Sequence, residues 1–134
     1  MDSKITMEEM KKRHAEKVVE LISKSMNKKE GNLAKNTIDF HFFCKKNKKD
    51  DGRSYFVVKI RDKIIGIAGL HRYIWDYRNI VWLGWFAVDQ KFQKQGIGTM
   101  MIDKICRIAK KKDIKRCTLR LTAAKHFLKQ DCFM

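Results

Sequence analysis

A chain of 134 residues is long enough for one compact domain with a true core and too short for two ordinary ones. Its 44% of hydrophobic residues fall in periodic clusters, with no run near the roughly 18 apolar residues of a spanning helix and no signal-peptide core at the charged start, which speaks against disorder and membrane insertion and for one cytoplasmic domain over residues 1–134. The formal charge of +16 is spread along the chain as lysine, so it fits a solvated surface as well as a binding footprint; either way it attracts a ligand carrying several phosphates.

Residues 7–26 place Met7, Met10, His14, Val18, Ile22 and Met26 three to four apart, the stripe of an amphipathic helix. Thr6 and Glu9 have capping-box spacing at its start. Segment 27–54 holds Leu33, Ile38, Phe40, Phe42 and Phe43 before the polar run KKNKKDDGRS and reads as a short helix or turn followed by a loop. From residue 55 the pattern changes: YFVVKI and IIGIAGLHRY flank the polar RDK of 61–63, which predicts a hairpin. NIVWLGWFAVD has little alternation, as expected of a strand covered on both faces, and belongs at the sheet centre. Residues 97–112 put Ile97, Met101, Ile105, Ile108 and Ala109 on one helical face and end in lysines that suit a helix C-terminus. RCTLRLTA then predicts a fourth strand through Cys117, Leu119 and Leu121. The tail AKHFLKQDCFM is ambiguous. This order makes an α/β or α+β layer fold.

Cys44, Cys106, Cys117 and Cys132 show no CxxC pair or disulfide framework and read as reduced thiols. The four histidines are scattered, so no metal site is expected.

The chemistry concentrates after the central strand, at Gln93-Lys94-Gln95-Gly96-Ile97-Gly98. A tight glycine turn entering a helix leaves several backbone N–H groups unpaired near the positive end of the helix dipole, and such a site binds phosphate. Gly96 and Gly98 let the backbone approach an anion closely. Position 101 is Met rather than the third glycine of GxGxxG, and GxxxxGK[ST] has no match, so the Rossmann and P-loop readings drop out.

Gln93, Gly96 and Gly98, preceded by Leu83, Phe86 and Val88, resemble motif A of the GNAT N-acetyltransferase superfamily, and the resemblance extends over roughly residues 5–122. It implies a mixed, mostly antiparallel central sheet flanked by helices. It also implies that Gln93, Lys94, Gln95, Gly96, Ile97, Gly98 and Thr99 hold the CoA pyrophosphate, that the backbone of Phe86, Ala87 and Val88 holds the pantetheine arm, and that the Val88 N–H polarises the thioester carbonyl. The implied activity is transfer of an acetyl group from acetyl-CoA, as co-substrate, to an amine of a small molecule or protein, by direct attack in a ternary complex.

Direct attack needs a neutral amine and hence a base. Many relatives carry Glu near the position of Gly84, which leaves His71 and Asp76 as candidates for the general base here, with Tyr73, Tyr77 and solvent as further options. Relatives also have a tyrosine acid in a segment ending Tyr-x-x-x-Gly-Phe, where this chain has Leu128 and Cys132. Trp75, Trp82 and Trp85, with Tyr73 and Tyr77, serve either as core or as the lining of an acceptor pocket. The chain stops where relatives add another strand or two, an expectation of truncated C-terminal strands that a strand-sharing homodimer would complete. Two other readings stay open: a CoA-binding relative without turnover, and a basic nucleic-acid-binding module, which the absence of zinc-finger, homeodomain and RRM patterns disfavours.

Overall fold

The computed structural model describes residues 4–49, 53–71, 80–111, 116–119 and 132–133. The chain runs β1 (Ile5–Glu9), a 3₁₀ turn (Lys12–His14), α1 (Ala15–Ser25), α2 (Lys28–Lys46), β2 (Arg53–Ile60), β3 (Lys63–His71), β4 (Ile80–Val88), a second 3₁₀ turn (Gln90–Phe92), α3 (Ile97–Lys111), β5 (Arg116–Leu119) and β6 (Cys132–Phe133). The six strands lie in sequence order in one sheet. Every neighbouring pair is antiparallel except β4 and β5, which run parallel. This is the mixed, mostly antiparallel sheet expected, and α3 provides the crossover that a parallel pair requires.

Each face of the sheet carries its own core. One is built by Val58, Ala68, Leu70, Leu83, Phe86 and Val88 against Ile97, Met101, Ile102 and Ile105 of α3. The other is built by Tyr55, Val57, Ile67 and Ala87 against Val18, Leu21 and Ile22 of α1 and Ala34 and Ile38 of α2. β3 admits α3 closely because it has Gly66 at the contact: a Cβ there would lie 3.1 Å from Met101 Sδ.

The expected hairpin, central strand, C-terminal helix and fourth strand are all present. The N-terminal expectation is corrected. Residues 5–9 form a strand, with Ile5 opposite Ile60 and Glu9 opposite Phe56, and the α-helix begins only at Ala15. Ile5 and Met7 alternate with exposed neighbours and pack on the sheet core, so Met7 belongs to a period of two although it also fits a helical stripe with Met10 and His14. Thr6 and Glu9 therefore cap nothing. The turn at 12–14 is instead tied by the Lys11 N–H donating to His14 Nδ1 at 2.9 Å.

Segment 28–46 is a 19-residue helix rather than a short one. Asn27 caps it, its side chain accepting from the Glu30 N–H at 2.8 Å, and lysines occupy the last turn, which suits the helix dipole. Its buried stripe is Gly31, Ala34, Ile38, His41 and Cys44, while Leu33, Phe40 and Phe43 are exposed. The large apolar residues thus lie mostly on the wrong face for a hydrophobicity pattern to reveal the helix. The cysteine expectation holds for Cys44, which is a buried free thiol, and fails for Cys106, which is disulfide-bonded. Sequence spacing cannot anticipate a pair that only the fold brings together.

Candidate functional site

The site grows from an irregularity in β4. Between Ile67 and Gly69 of β3, a step of two residues, the partners on β4 run from Ala87 to Gly84, a step of three. One extra residue on β4 makes this a β-bulge. Its effect shows in the cores: Leu83 and Phe86 point to the α3 side, and Trp85 between them packs on the α1 and α2 side. Gly84, opposite Gly69, shares that second side. On the other flank of β4 the pairing with β5 covers Ile80–Leu83 opposite Arg116–Leu119. Among the described residues β4 therefore has no partner on that flank beyond Leu83.

The backbone direction at the end of β4 follows from one hydrogen bond. Asp89 donates its N–H to Ile65 O at 2.8 Å, so Asp89 and Ile65 are a hydrogen-bonded pair and the next pair, Val88 with Gly66, is of the other kind. The N–H and C=O of Val88 then point away from β3, toward the open flank. The carbonyl receives Gln93 Nε2 at 3.0 Å and Ser25 Oγ at 3.3 Å. One carbonyl thus joins the end of α1, the central strand and the following loop.

That loop has a left-handed backbone at two places, Lys94 with φ 63° and Gly96 with φ 80°. Gly96 suits this for lack of a Cβ, and nothing lies within 4 Å of where one would be. Gln95 Nε2 donates to Lys91 O at 3.3 Å, so two of the three donor side chains expected to reach a ligand, those of Gln93 and Gln95, brace the loop itself. Lys94 is exposed. The Met100 N–H bonds to Gly96 O at 3.0 Å, which leaves the N–H groups of Ile97, Gly98 and Thr99 in the turn where a helix supplies no acceptor. No acidic residue occupies the first turn of α3. The combination of helix dipole, alternating left-handed residues and exposed lysine makes an anion cradle.

The second half of the site lies on the α1 and α2 side of the sheet. His71 ends β3, half-buried, opposite Trp82. Its ring rests on Gly84: a Cβ there would overlap His71 Cε1 and Nε2 and lie 2.7 Å from Nδ1. Tyr55 rests in the same way on Gly69, where a Cβ would lie 2.8 Å from Cδ1 and Cε1 of the phenol ring. The Tyr55 hydroxyl and His71 Nε2 are 2.9 Å apart, with the rings edge to face at 79°. His41 of α2 also meets Tyr55 edge to face, centroids 5.0 Å apart.

Of the sequence-derived candidates, Phe86, Ala87, Val88 and Gln93–Thr99 form the continuous strand, loop and helix start described above. His71 stands over the bulge. Asp76, Tyr73, Trp75, Tyr77 and Leu128 lie outside the described residues. Sequence reasoning missed Tyr55, Gly69, His41 and Ser25. The signal for the first two was a pair of glycines in β-rich segments, each a place where another group approaches the backbone closely. Among the described residues, no group of three or more His, Cys, Asp or Glu could hold a metal ion, and no helix is long and apolar enough to cross a membrane.

A family model described as the acetyltransferase (GNAT) family matches residues 15–132. Among solved structures the chain is similar to an acetyltransferase of the GNAT family from Staphylococcus aureus Mu50, with a TM-score of 0.69 and 19% identity over 92% of this chain and 79% of that one. It is similar to PaiA N-acetyltransferase from Thermoplasma acidophilum in complex with coenzyme A, with a TM-score of 0.72 and 15% identity over 92% and 84% of the two chains. It is also similar to the ribosomal-protein-S18-alanine N-acetyltransferase from Escherichia coli, with a TM-score of 0.66 and 14% identity over 92% and 72%. At these identities the likeness is one of fold. No curated protein matches in sequence.

Proposed function

Because the chain belongs to the GNAT acetyltransferase family, we propose that it transfers an acetyl group from acetyl-CoA to the amine of a small molecule or a protein, by direct attack within a ternary complex. The observation that carries this reading is the junction of β4 with α3: a bulged strand with one open flank, running into a loop with left-handed residues at 94 and 96 and then a helix start.

The anion cradle from Gln93 to Thr99 takes the pyrophosphate of CoA. The pantetheine arm, whose amides need extended partners, lies along the open flank of β4 at Phe86, Ala87 and Val88. The Val88 N–H, directed to that flank, donates to the thioester carbonyl oxygen as negative charge gathers there during attack. A donor so placed is worth on the order of 3 kcal/mol in the transition state. His71, over the bulge where a carboxylate stands in many relatives, takes the proton of the attacking amine; Asp76 is the alternative base. Holding amine and thioester together supplies much of the remaining rate.

Two measurements on the full chain test the reading. Calorimetric titration is expected to give micromolar binding of acetyl-CoA, and no binding would sink it. Thiol release against a panel of alkyl, aromatic and peptide amines is expected to reveal turnover. Tight binding with no thiol release from any amine would favour a CoA-binding relative that has lost catalysis.

A further inference from the structure

We propose that Tyr55 is the positioning residue of the proton-accepting unit: its hydroxyl holds the His71 imidazole over Gly84 and stabilises the imidazolium that forms when the acceptor amine loses its proton. The inference rests on the acetyl-transfer reading above and assigns a part to a residue far from the family motif in sequence.

The placement depends on two absent side chains. Tyr55, Gly69, His71 and Gly84 share one face of three adjacent strands, because Tyr55 pairs with Gly69 and Gly69 with Gly84. With a Cβ at Gly69 the phenol ring could not lie across β3, and with one at Gly84 the imidazole could not lie across β4. The two glycines let two rings cross neighbouring strands and meet at 2.9 Å. Tyr55 is 1% exposed, and the His41 ring also packs on it edge to face, so the hydroxyl is fixed where it is. A hydrogen bond between fixed partners orients the imidazole without the entropy cost of ordering a mobile side chain.

The same contact sets the proton chemistry. With the ring protonated, Nε2–H donates to the Tyr55 oxygen, and a bond from a cationic donor is stronger than a neutral one. Of the strand residues beside it, Arg53, its register partner on β2, carries a charge, while its β4 neighbours Trp82 and Gly84 do not. Arg53 disfavours a second positive charge, so the hydroxyl oxygen opposes it. In the reaction the amine nitrogen bonds to the thioester carbon while its proton passes to the imidazole. The C–S bond then breaks with its electron pair on sulfur, and the imidazolium or water returns a proton to the CoA thiolate.

The test is Tyr55→Phe in the full chain, which keeps the ring and removes only the hydroxyl, read beside His71→Ala. Expected for Tyr55→Phe is a fall in kcat of about tenfold, an unchanged KM for acetyl-CoA, and an ascending limb of the kcat/KM profile moved to lower pH by roughly half a unit to one unit. The His71 titration followed by NMR, which needs no substrate, should move in the same direction by the same amount. Expected for His71→Ala is a loss of about 10² to 10⁴ in kcat, with that limb abolished. Turnover by the wild-type chain with an unmoved limb and an unmoved His71 titration in Tyr55→Phe would overturn the inference alone. A wild-type chain that binds acetyl-CoA yet releases no thiol would overturn acetyl transfer and the inference with it.

Discussion

The Tyr55 hydroxyl and His71 Nε2 approach to 2.9 Å although the residues stand on different strands, and each ring reaches its place by crossing a glycine of the next strand. The first prediction follows from the second of those glycines. Gly84→Ala puts a methyl group into the space of the imidazole, which must swing off the bulge. Turnover should fall by about 10² or more, as for loss of a general base, while acetyl-CoA binding measured by calorimetry stays close to wild type. Equal loss of both would mean that the methyl group disturbs the strand rather than the histidine.

At the anion cradle, space and conformation make separable demands. Gly96 has room for a side chain but a φ of 80°, so Gly96→Ala should cost only about 1 kcal/mol of backbone strain in a denaturant melt. Gly96→Glu adds a negative charge where a pyrophosphate is to bind and should weaken acetyl-CoA by more than about tenfold. Similar affinities for the two variants would place the phosphates elsewhere.

Lys94 offers the reverse experiment. It holds φ 63° with a side chain, a conformation that costs an L-residue roughly 1 kcal/mol. Lys94→Gly is expected to hold or raise the melting temperature while weakening acetyl-CoA, most visibly at low salt, where an exposed cation acts at longest range.

The α1 and α2 pair should break at Gly31. A Cβ there would overlap Ser23 Oγ and lie 2.9 Å from Ser23 Cβ. Gly31→Ala is expected to destabilise the chain by about 1 to 3 kcal/mol, the usual cost of overpacking. Adding Ser23→Gly should recover part of that loss, and a double variant no more stable than the single one would argue against the contact.

The pH dependence of folding should carry a signature of His14. Burial is the largest cause that holds its pKa below the ordinary 6.5, with Lys59 and Arg13 adding to it and Glu8 opposing. The unfolded chain therefore binds the proton more readily than the folded one. The stabilising contribution is complete above pH 6.5 and is lost as pH falls from there through the folded value. In His14→Asn, which keeps an acceptor for the Lys11 N–H, the decline of unfolding free energy just below pH 6.5 should be shallower; an unchanged slope would assign the decline to other groups.

What the sequence could reveal depended on whether pattern and burial agree. α3 was legible because Ile97, Met101 and Ile105 are both its large apolar residues and its buried ones. α2 was not, because small and polar residues such as Gly31, Ala34 and His41 face its core while Phe40 and Phe43 face solvent. The cradle could be read since its parts are contiguous from Gln93 to Thr99. The Tyr55–His71 pair could not, since its geometry depends on the register of three strands, and register is a tertiary property. β1 was hidden for a related reason: five residues offer too few positions to separate a period of two from one of 3.6.

The bulge in β4 also acts as a change of parity. Leu83 faces α3, whereas Trp85 and Ala87, also at odd positions, face α1 and α2. Deleting a single residue at 84 or 85 would remove the extra residue and restore plain alternation, with Leu83 and Phe86 still on the α3 side and Ala87 still on the other. Both cores can therefore outlast the loss of the bulge, and what such a deletion removes is the irregularity of the strand at the site itself.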